Sequence, residues 1–196
     1  MPPKKSTKNK EFSRETVVLA ALTLATELGW EHVTLQDIAG ESGVNLSELF
    51  DHFDDKTDIL AALGRMIDKK VLGSVGDIDE SLSARDRLFD ILMERFDVLN
   101  EHRDGITAIL KSFKSDPKQA VISLPHLCRS MTWMMEAAGL DTGGFMGAAK
   151  VAGLSVLYLN VVRIWVNDES PDMPKTMAAL DKNLGRAEQC ANTFSL

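Results

Sequence analysis

The sequence predicts an all-helical protein with a small N-terminal module and a larger C-terminal helical body. Apolar side chains recur at three-to-four spacing along most of the chain, and no stretch alternates convincingly with the two-residue period of a strand. Glycine-containing and polar breaks separate the periodic stretches. The 196 residues suffice for one small module and one larger core, and the 44% hydrophobic and 26% charged content is that of a folded, soluble chain.

The composition argues against export, membrane insertion and metal chemistry. The first ten residues, MPPKKSTKNK, are polar and precede charged residues, unlike a signal peptide. The most apolar run, 151–166, is shorter than the roughly 20 residues of a span and contains Asn160 and Arg163, which predicts a buried helix. Cys128 and Cys190 lie far apart and have no metal or redox spacing. We therefore expect a cytoplasmic protein with no cofactor and no metal.

Three helices are predicted within the first 60 residues. They are Phe12–Leu28, a two-turn helix that opens at Thr34, and Leu46–Phe50. Thr34 and Asp37 have the spacing of a capping box, and Asn45 is a good N-cap. The residues Ser-Gly-Val-Asn at 42–45 separate the second helix from the third. This is the spacing of a helix-turn-helix, a motif that places its second helix in the major groove of DNA.

The remaining chain predicts a long connecting helix and five further helical elements. They are Lys56–Lys70, then, after a loop at 77–83, Arg85–Asn100, Ile106–Lys114, Lys118–Ala138 with a kink or restart at Pro125, Phe145–Val166, and a last helix from the turn at 171–174 to near Asn192.

The net charge of −7 is unfavourable for nucleic-acid binding when averaged over the chain, so the distribution of charge matters. Residues 1–11 contain Lys4, Lys5, Lys8 and Lys10. Such a basic arm either lies along a phosphate backbone or is a solvated tail.

The N-terminal motifs together resemble the DNA-binding signature of the TetR family. The segments that carry the resemblance are Thr34–Ala39, Ser42–Asn45, Leu49–Phe53 and Lys56–Leu60. The resemblance implies an all-α, TetR-like fold, in which a basic flexible arm (1–11) precedes a three-helix DNA-binding domain (12–57) and a connecting helix leads into a helical ligand-binding and dimerisation domain (58–196).

By the same resemblance, Thr34 and Lys56 lie near DNA phosphates. The side chains expected to face DNA are Asn45, Leu46, Ser47, Phe50 and His52. The apolar residues between them, Ile38, Ala39, Val44, Leu49 and Phe53, are expected to form the core of the module.

The reading helix departs from the family pattern in its charge. It contains Glu48 and Asp51, and the segment from Glu31 to Leu60 contains eight acidic residues and one lysine. Carboxylates near phosphates repel them, so we expect weaker affinity for DNA. Alternatively, Glu48 or Asp51 accepts a hydrogen bond from cytosine and contributes to specificity.

The C-terminal body contains many methionine and aromatic side chains, which suit a cavity for a small apolar or amphipathic ligand. The residues expected to line it are Phe113, Met131, Trp133, Met134, Tyr158 and Arg163. If Arg163 is buried it needs a partner, which is an internal aspartate, the dimer partner or an anionic group of the ligand.

The last two helices are expected to form a homodimer interface, which would present two reading helices to successive major grooves of a palindromic operator. The expected interface residues are Ala148, Ala152, Ser155, Leu159, Met177, Leu180 and Leu184.

Two functional interpretations follow. The first is a regulator, expected to be a repressor, whose ligand shifts the connecting helix and changes the separation of the reading helices. The second rests on the segment from Trp165 to Asp181, which resembles the end of the lipid-binding accessory proteins of coenzyme Q (ubiquinone) biosynthesis. Those share the TetR fold without operator binding. The four histidines have no metal-ligand spacing and no catalytic motif is present, so an enzyme is not expected.

Overall fold

The computed structural model describes residues 12–114 and 116–193, and the predicted basic arm (1–11) lies outside the described residues. Over these ranges the chain is all-helical, as predicted. The helices are α1 (Arg14–Leu28), α2 (Leu35–Ser42), α3 (Leu46–Phe50), α4 (Lys56–Ser74), α5 (Ala84–Asn100), α6 (Arg103–Ser112), α7 (Pro117–Ala137), α8 (Gly144–Trp165) and α9 (Pro174–Thr193).

The short N-terminal helices begin where their predicted caps stand. The Thr34 hydroxyl accepts the N–H of Asp37 at 3.2 Å, and the Asp37 carboxylate accepts the N–H of Thr34 at 2.9 Å, which completes the capping box of α2. Asn45 Oδ1 accepts the N–H of Glu48 at 2.9 Å at the start of α3. Since α2 and α3 have only two turns or fewer, these caps satisfy a large share of their free backbone donors.

The N-terminal helices are joined to the body through α1 and α4. α1 packs against α2, α4 and α6, while α4 also packs against α5 and α7. On the far side, α8 lies between α7 and α9, and α9 returns to α5. The buried apolar residues of all these helices form one continuous core. A displacement of α4 or α6 can therefore reach the N-terminal helices directly.

The main differences from the predicted helices lie in α4, α6 and α7. α4 continues to Ser74, one turn beyond the predicted Lys70, and α6 begins at Arg103 instead of Ile106. Pro125 lies inside α7, so of the two predicted outcomes, a kink or a restart of the helix, the restart is wrong. The proline is exposed, and the helix continues through it because the C-terminal half of α7 is held by the core.

The apolar helix α8 is longer than its most apolar run suggested. It spans 22 residues and is long and apolar enough, by length and composition, to cross a membrane. The length argument against a span is therefore wrong. One side of α8, which includes Val151, Tyr158 and Trp165, is buried against the neighbouring helices.

Asp168 organises the turn between α8 and α9. Its side chain is buried, and Oδ2 accepts hydrogen bonds from the backbone N–H and the hydroxyl of Thr176, both at 2.9 Å. Burial raises the pKa of this carboxyl, but the bonds from Thr176, together with the backbone N–H and the charge of Lys175, outweigh burial, and the net pKa lies below the ordinary 3.8.

We expect Asp168→Ala to lower the free energy of unfolding by about 1 to 2 kcal/mol, since it removes a helix cap and leaves a buried N–H without its acceptor. Because the folded-state pKa is depressed, this contribution is complete above the ordinary carboxyl pKa and is lost as the pH falls through the folded value. Urea unfolding of both proteins from pH 7 to pH 2.5 should therefore show a gap in stability that closes in acid. A gap that is constant over this range would contradict the assignment.

Candidate DNA-binding module and ligand cavity

A small apolar core fixes α3 against α2 and α1. Ile38, Ala39, Leu49 and Phe53 are buried, and Val44 is half-buried, as expected for scaffold residues. Gly43 ends α2 with a left-handed φ of 73°. This conformation, which glycine adopts without strain, turns the chain so that the N–H of Val44 reaches the carbonyl of Ala39 at 3.1 Å. The turn thereby fixes the direction in which α3 leaves α2.

The outer face of α3 presents the side chains that were expected to face DNA. Leu46 and Phe50 lie one turn apart, and their side chains are 45% and 69% exposed. Asn45, Ser47 and His52 are exposed beside them. An exposed apolar pair of this kind is suited to contact thymine methyl groups in a major groove.

Thr34 and His52, like Asn45 in its cap, have structural partners as well. His52 stacks on Phe12, with ring centroids 3.9 Å apart, and its carbonyl accepts a hydrogen bond from Arg14 at 3.4 Å. The Thr34 hydroxyl donates to the Asp37 carboxylate at 2.6 Å. This bond and the backbone bond from Thr34 lower the pKa of Asp37. Both Thr34 and His52 are exposed, but their orientation is set by these contacts.

Lys56 has a different position from the one expected of a phosphate contact. Its Nζ donates to the carbonyls of Trp30 and Val33 at 2.6 and 2.7 Å and lies 4.3 Å from the centroid of the Trp30 ring. Burial lowers the pKa of Lys56, an effect that the charges of Glu31 and Asp116 oppose. The ammonium group thus anchors the α1–α2 loop onto the start of α4, and a contact of Lys56 with a DNA phosphate stays a prediction.

This position predicts the behaviour of a Lys56→Gln variant. A lysine that neutralises a phosphate contributes about 0.9 to the slope of log affinity against log salt concentration. We expect Lys56→Gln to leave that slope unchanged and to lower the free energy of unfolding by about 1 kcal/mol, because two buried carbonyls lose a charged donor. A salt titration of binding to a 30-bp duplex measures the slope. A decrease of nearly one would restore Lys56 as a phosphate contact.

The inward position of Lys56 makes the surface of the module more acidic than the sequence suggested. Between Glu31 and Leu60 there are eight acidic residues, and Lys56 is the one basic side chain of Lys or Arg type. Asp51, Asp54 and Asp55 are exposed directly after α3. Electrostatic attraction to the phosphate backbone of DNA must therefore come from outside this segment. Arg14 and the lysines of residues 1–11 are available for it.

A cavity of about 690 Å³ lies between α4, α6 and α7 in the helical body, with one residue of α5 at its wall. This volume is within the usual range of small-molecule sites, roughly 300 to 1,000 Å³. Most of its lining is aliphatic or aromatic. The apolar residues include Leu60, Leu63, Ile67, Ile106, Ile109, Leu110, Phe113, Leu127 and Trp133.

Two of the six expected pocket residues, Phe113 and Trp133, line this cavity. Met131 and Met134 are completely buried in the core behind it. Tyr158 is also buried and bonds to α5. Arg163 is exposed on α8, away from the cavity lining, so it requires no buried partner. Hydrophobicity alone could not distinguish side chains that pack against each other from those beside a void.

A polar cluster at the wall of the cavity was not predicted from the sequence. The carboxylate of Asp68 accepts hydrogen bonds from Arg95 and Ser130, and Nε of Arg95 donates to the Tyr158 hydroxyl at 3.1 Å. Burial raises the pKa of Tyr158, against the opposing effect of Arg95. The feature of the sequence that indicates this cluster is the position of Arg95 on the apolar side of α5, one turn from Leu92 and Leu99.

The expected dimer residues divide into two groups. Ala148, Ala152 and Met177 are exposed, and Leu159 is half-buried, so they are available to a partner. Ser155, Leu180 and Leu184 are buried inside the protomer, which leaves them little surface for a partner. The exposed large apolar side chains of α8 that were missed are Phe145, Met146, Val156 and Ile164. They extend the available apolar surface along nearly the whole helix.

Comparison with known proteins places these features in a family context. Residues 17–63 match the family described as bacterial regulatory proteins, tetR family. The HTH-type transcriptional activator FasR of Mycolicibacterium smegmatis is 22% identical over 166 residues, which cover 83% of this chain and 76% of that protein.

Solved structures show the same fold. A TetR transcriptional regulator from Nitrosomonas europaea has a TM-score of 0.69 and 24% identity, covering 90% of this chain and 98% of that chain. A TetR transcriptional regulator from Rhodococcus sp. RHA1 has a TM-score of 0.62 and 19% identity, covering 88% and 93%. Residues 17–63 thus match the N-terminal module of the tetR family, and the chain as a whole shares the fold of these solved TetR regulators.

Proposed function

We propose that this protein is a transcriptional regulator that binds a palindromic DNA operator as a homodimer and responds to a small apolar or amphipathic ligand. The observation that carries the proposal is the outer face of α3, where Leu46 and Phe50 are exposed on a helix whose start and direction are fixed by Asn45 and Gly43. A module used only as scaffold has no need of exposed apolar side chains at these two positions.

The contacts between the module and the body provide a route for ligand control. Trp30 Nε1 donates to Gln119 Oε1 at 3.1 Å, which ties the α1–α2 loop to the first turn of α7. Both α4 and later turns of α7 line the cavity. A ligand that moves these helices relative to each other would change the position of α3. Ligand and operator would then affect each other's binding by the same factor.

Homodimerisation through α8 and α9 would complete the regulator. The exposed apolar residues of α8 include Phe145 at 87% and Val156 at 62% exposure, which are large for side chains in water. A two-fold axis through this surface would present two copies of α3, with half-sites about 10 bp apart.

Selection from a random duplex library by the purified full-length protein, at low and at moderate salt, tests the proposal. We expect a palindromic sequence that is retained at moderate salt. The double variant Leu46→Ala, Phe50→Ala should lose at least about tenfold in affinity for that sequence, because apolar base contacts are removed. Val121→Ala, at a residue 63% exposed on α7, is the matched surface control and should bind like the parent.

The alternative is a lipid-binding accessory protein without operator binding. It is favoured by the acidic surface of the module and by the inward position of Lys56. In that case the selection would recover no preferred sequence, and binding would vanish at moderate salt in the parent and in the α3 variant alike. The residues of the second resemblance do not help this alternative, since Trp165 and Asp168 are buried in packing and capping contacts.

A further inference from the structure

The lining of the α4–α6–α7 cavity is unusually positive for this chain. Its charged residues are Arg65, Lys69, Arg95 and Arg129 against a single acid, Asp68. Arg95 is buried and pairs with Asp68, so these two charges compensate each other. Three cations remain around one cavity, in a protein whose net charge is −7.

Among the described residues, these three cations have no carboxylate partners of their own. Within residues 12–114 and 116–193, the ion pairs involve neither Arg65, Lys69 nor Arg129. All three side chains are exposed, which places them where the cavity meets solvent. Exposed cations keep their hydration at little cost in free energy, so they need no ion pair within the protein. They therefore remain free to bind an anion at the opening of the cavity.

The packing of α4 and α7 brings the three cations to the same height along the two helices. The hydrogen bond between Ser130 and Asp68 sets residue 130 of α7 beside residue 68 of α4. Arg65 and Lys69 lie within one turn of Asp68, and Arg129 is adjacent to Ser130. The cations therefore flank the same contact from two helices, and His126 lies one turn before Arg129 in the same lining.

We propose that the cavity binds an amphipathic anion, with the apolar tail between α4, α6 and α7 and a carboxylate or phosphate group held by Arg65, Lys69 and Arg129. This inference rests on the proposed ligand-responsive function and specifies the chemistry of the ligand. The tail would contact Leu63, Ile109, Phe113 and Trp133. A cationic ligand is disfavoured because the single acid, Asp68, is already bonded to Arg95 and Ser130.

Four probes with the same twelve-carbon tail test the proposal. They are dodecanoate, dodecyl phosphate, dodecanol and dodecyltrimethylammonium, each titrated below its micelle concentration into delipidated full-length protein by calorimetry. We expect at least one of the two anions to bind about tenfold or more tightly than dodecanol, and the cation to bind more weakly than dodecanol. The ratio between the two anions distinguishes a carboxylate from a phosphate ligand.

A triple variant, Arg65→Gln, Lys69→Gln, Arg129→Gln, should reduce anion affinity to that of dodecanol and leave dodecanol binding unchanged. The matched control Lys111→Gln, Lys150→Gln, Arg163→Gln removes the same charge from residues outside the cavity lining and should keep the preference for anions. Equal effects of the two triple variants would overturn the proposal, since they would assign the preference to net charge.

The outcomes separate this inference from the proposed function. If all four probes bind equally and Leu110→Trp, which fills the cavity, blocks them all, the ligand site stands and the anionic preference is wrong. If no probe binds, both the preference and the cavity as a site for such ligands are wrong. Operator binding is tested independently by the duplex selection.

Discussion

Arg95→Met should lower the free energy of unfolding by about 3 kcal/mol, because breaking one side of a buried ion pair leaves the other charge without its partner. The Arg95 and Asp68 side chains are 5% and 15% exposed. Removing the guanidinium would leave the Asp68 carboxylate with Ser130 as its hydrogen-bond donor and would also free the Tyr158 hydroxyl. Urea unfolding at fixed protein concentration measures the loss.

A double-mutant cycle shows whether the loss belongs to the pair. The double variant Arg95→Met, Asp68→Met should be more stable than the sum of the two single variants predicts, by about 2 kcal/mol, since neither charge is then left alone. The control is Arg85→Met: Arg85 pairs with Asp181 at 2.6 Å on the surface, and its loss should cost less than about 1 kcal/mol. If the stability losses of the two single variants simply add in the double variant, the pairing of Arg95 with Asp68 is contradicted.

The N-terminal module was largely predictable because its determinants are local. A capping box, an N-cap and a left-handed glycine each act over three or four residues, so Thr34, Asn45 and Gly43 mark the helix ends in the sequence itself. The internal contacts of Lys56 were not predicted because its partners, the carbonyls of Trp30 and Val33, lie more than twenty residues away. Nothing in the local pattern indicates which way such a side chain turns.

The cavity depended on contacts between distant helices, so sequence periodicity could predict only part of it. Periodicity identifies the apolar side of α7 and α8 but does not distinguish Met131, which is packed, from Trp133, which lines the void. The same limit applies to α9, where Leu180 and Leu184 repeat like an interface but pack within the protomer. Arg95 was the one local exception, since a charge on an apolar helix face predicts a buried partner.

The contact between α1 and α6 depends on the absence of a side chain at one position. Gly105 is buried in α6, and a Cβ added there would lie 2.7 Å from the carbonyl oxygen of Leu22 and 3.0 Å from its Cβ. That carbonyl belongs to the hydrogen-bonded body of α1 and also accepts the Thr26 hydroxyl at 3.0 Å. The oxygen cannot turn away alone, so α1 must move as a unit.

Gly105→Val should therefore lower the free energy of unfolding by about 2 to 3 kcal/mol through overpacking. Because α1 carries α2 and α3, the surviving folded protein should also select operators with a changed half-site spacing. Gly64→Ala is the matched control: Gly64 lies within α4 with no atom within 4 Å of an added Cβ. There the higher helix propensity of alanine should raise stability by about 0.5 to 1 kcal/mol. If Gly105→Val lowers the free energy of unfolding and Gly64→Ala raises it, then Gly105 is required because of the limited space at the α1–α6 contact and not because of backbone flexibility. A Gly105→Val variant of unchanged stability would show that the module is not held to the body there.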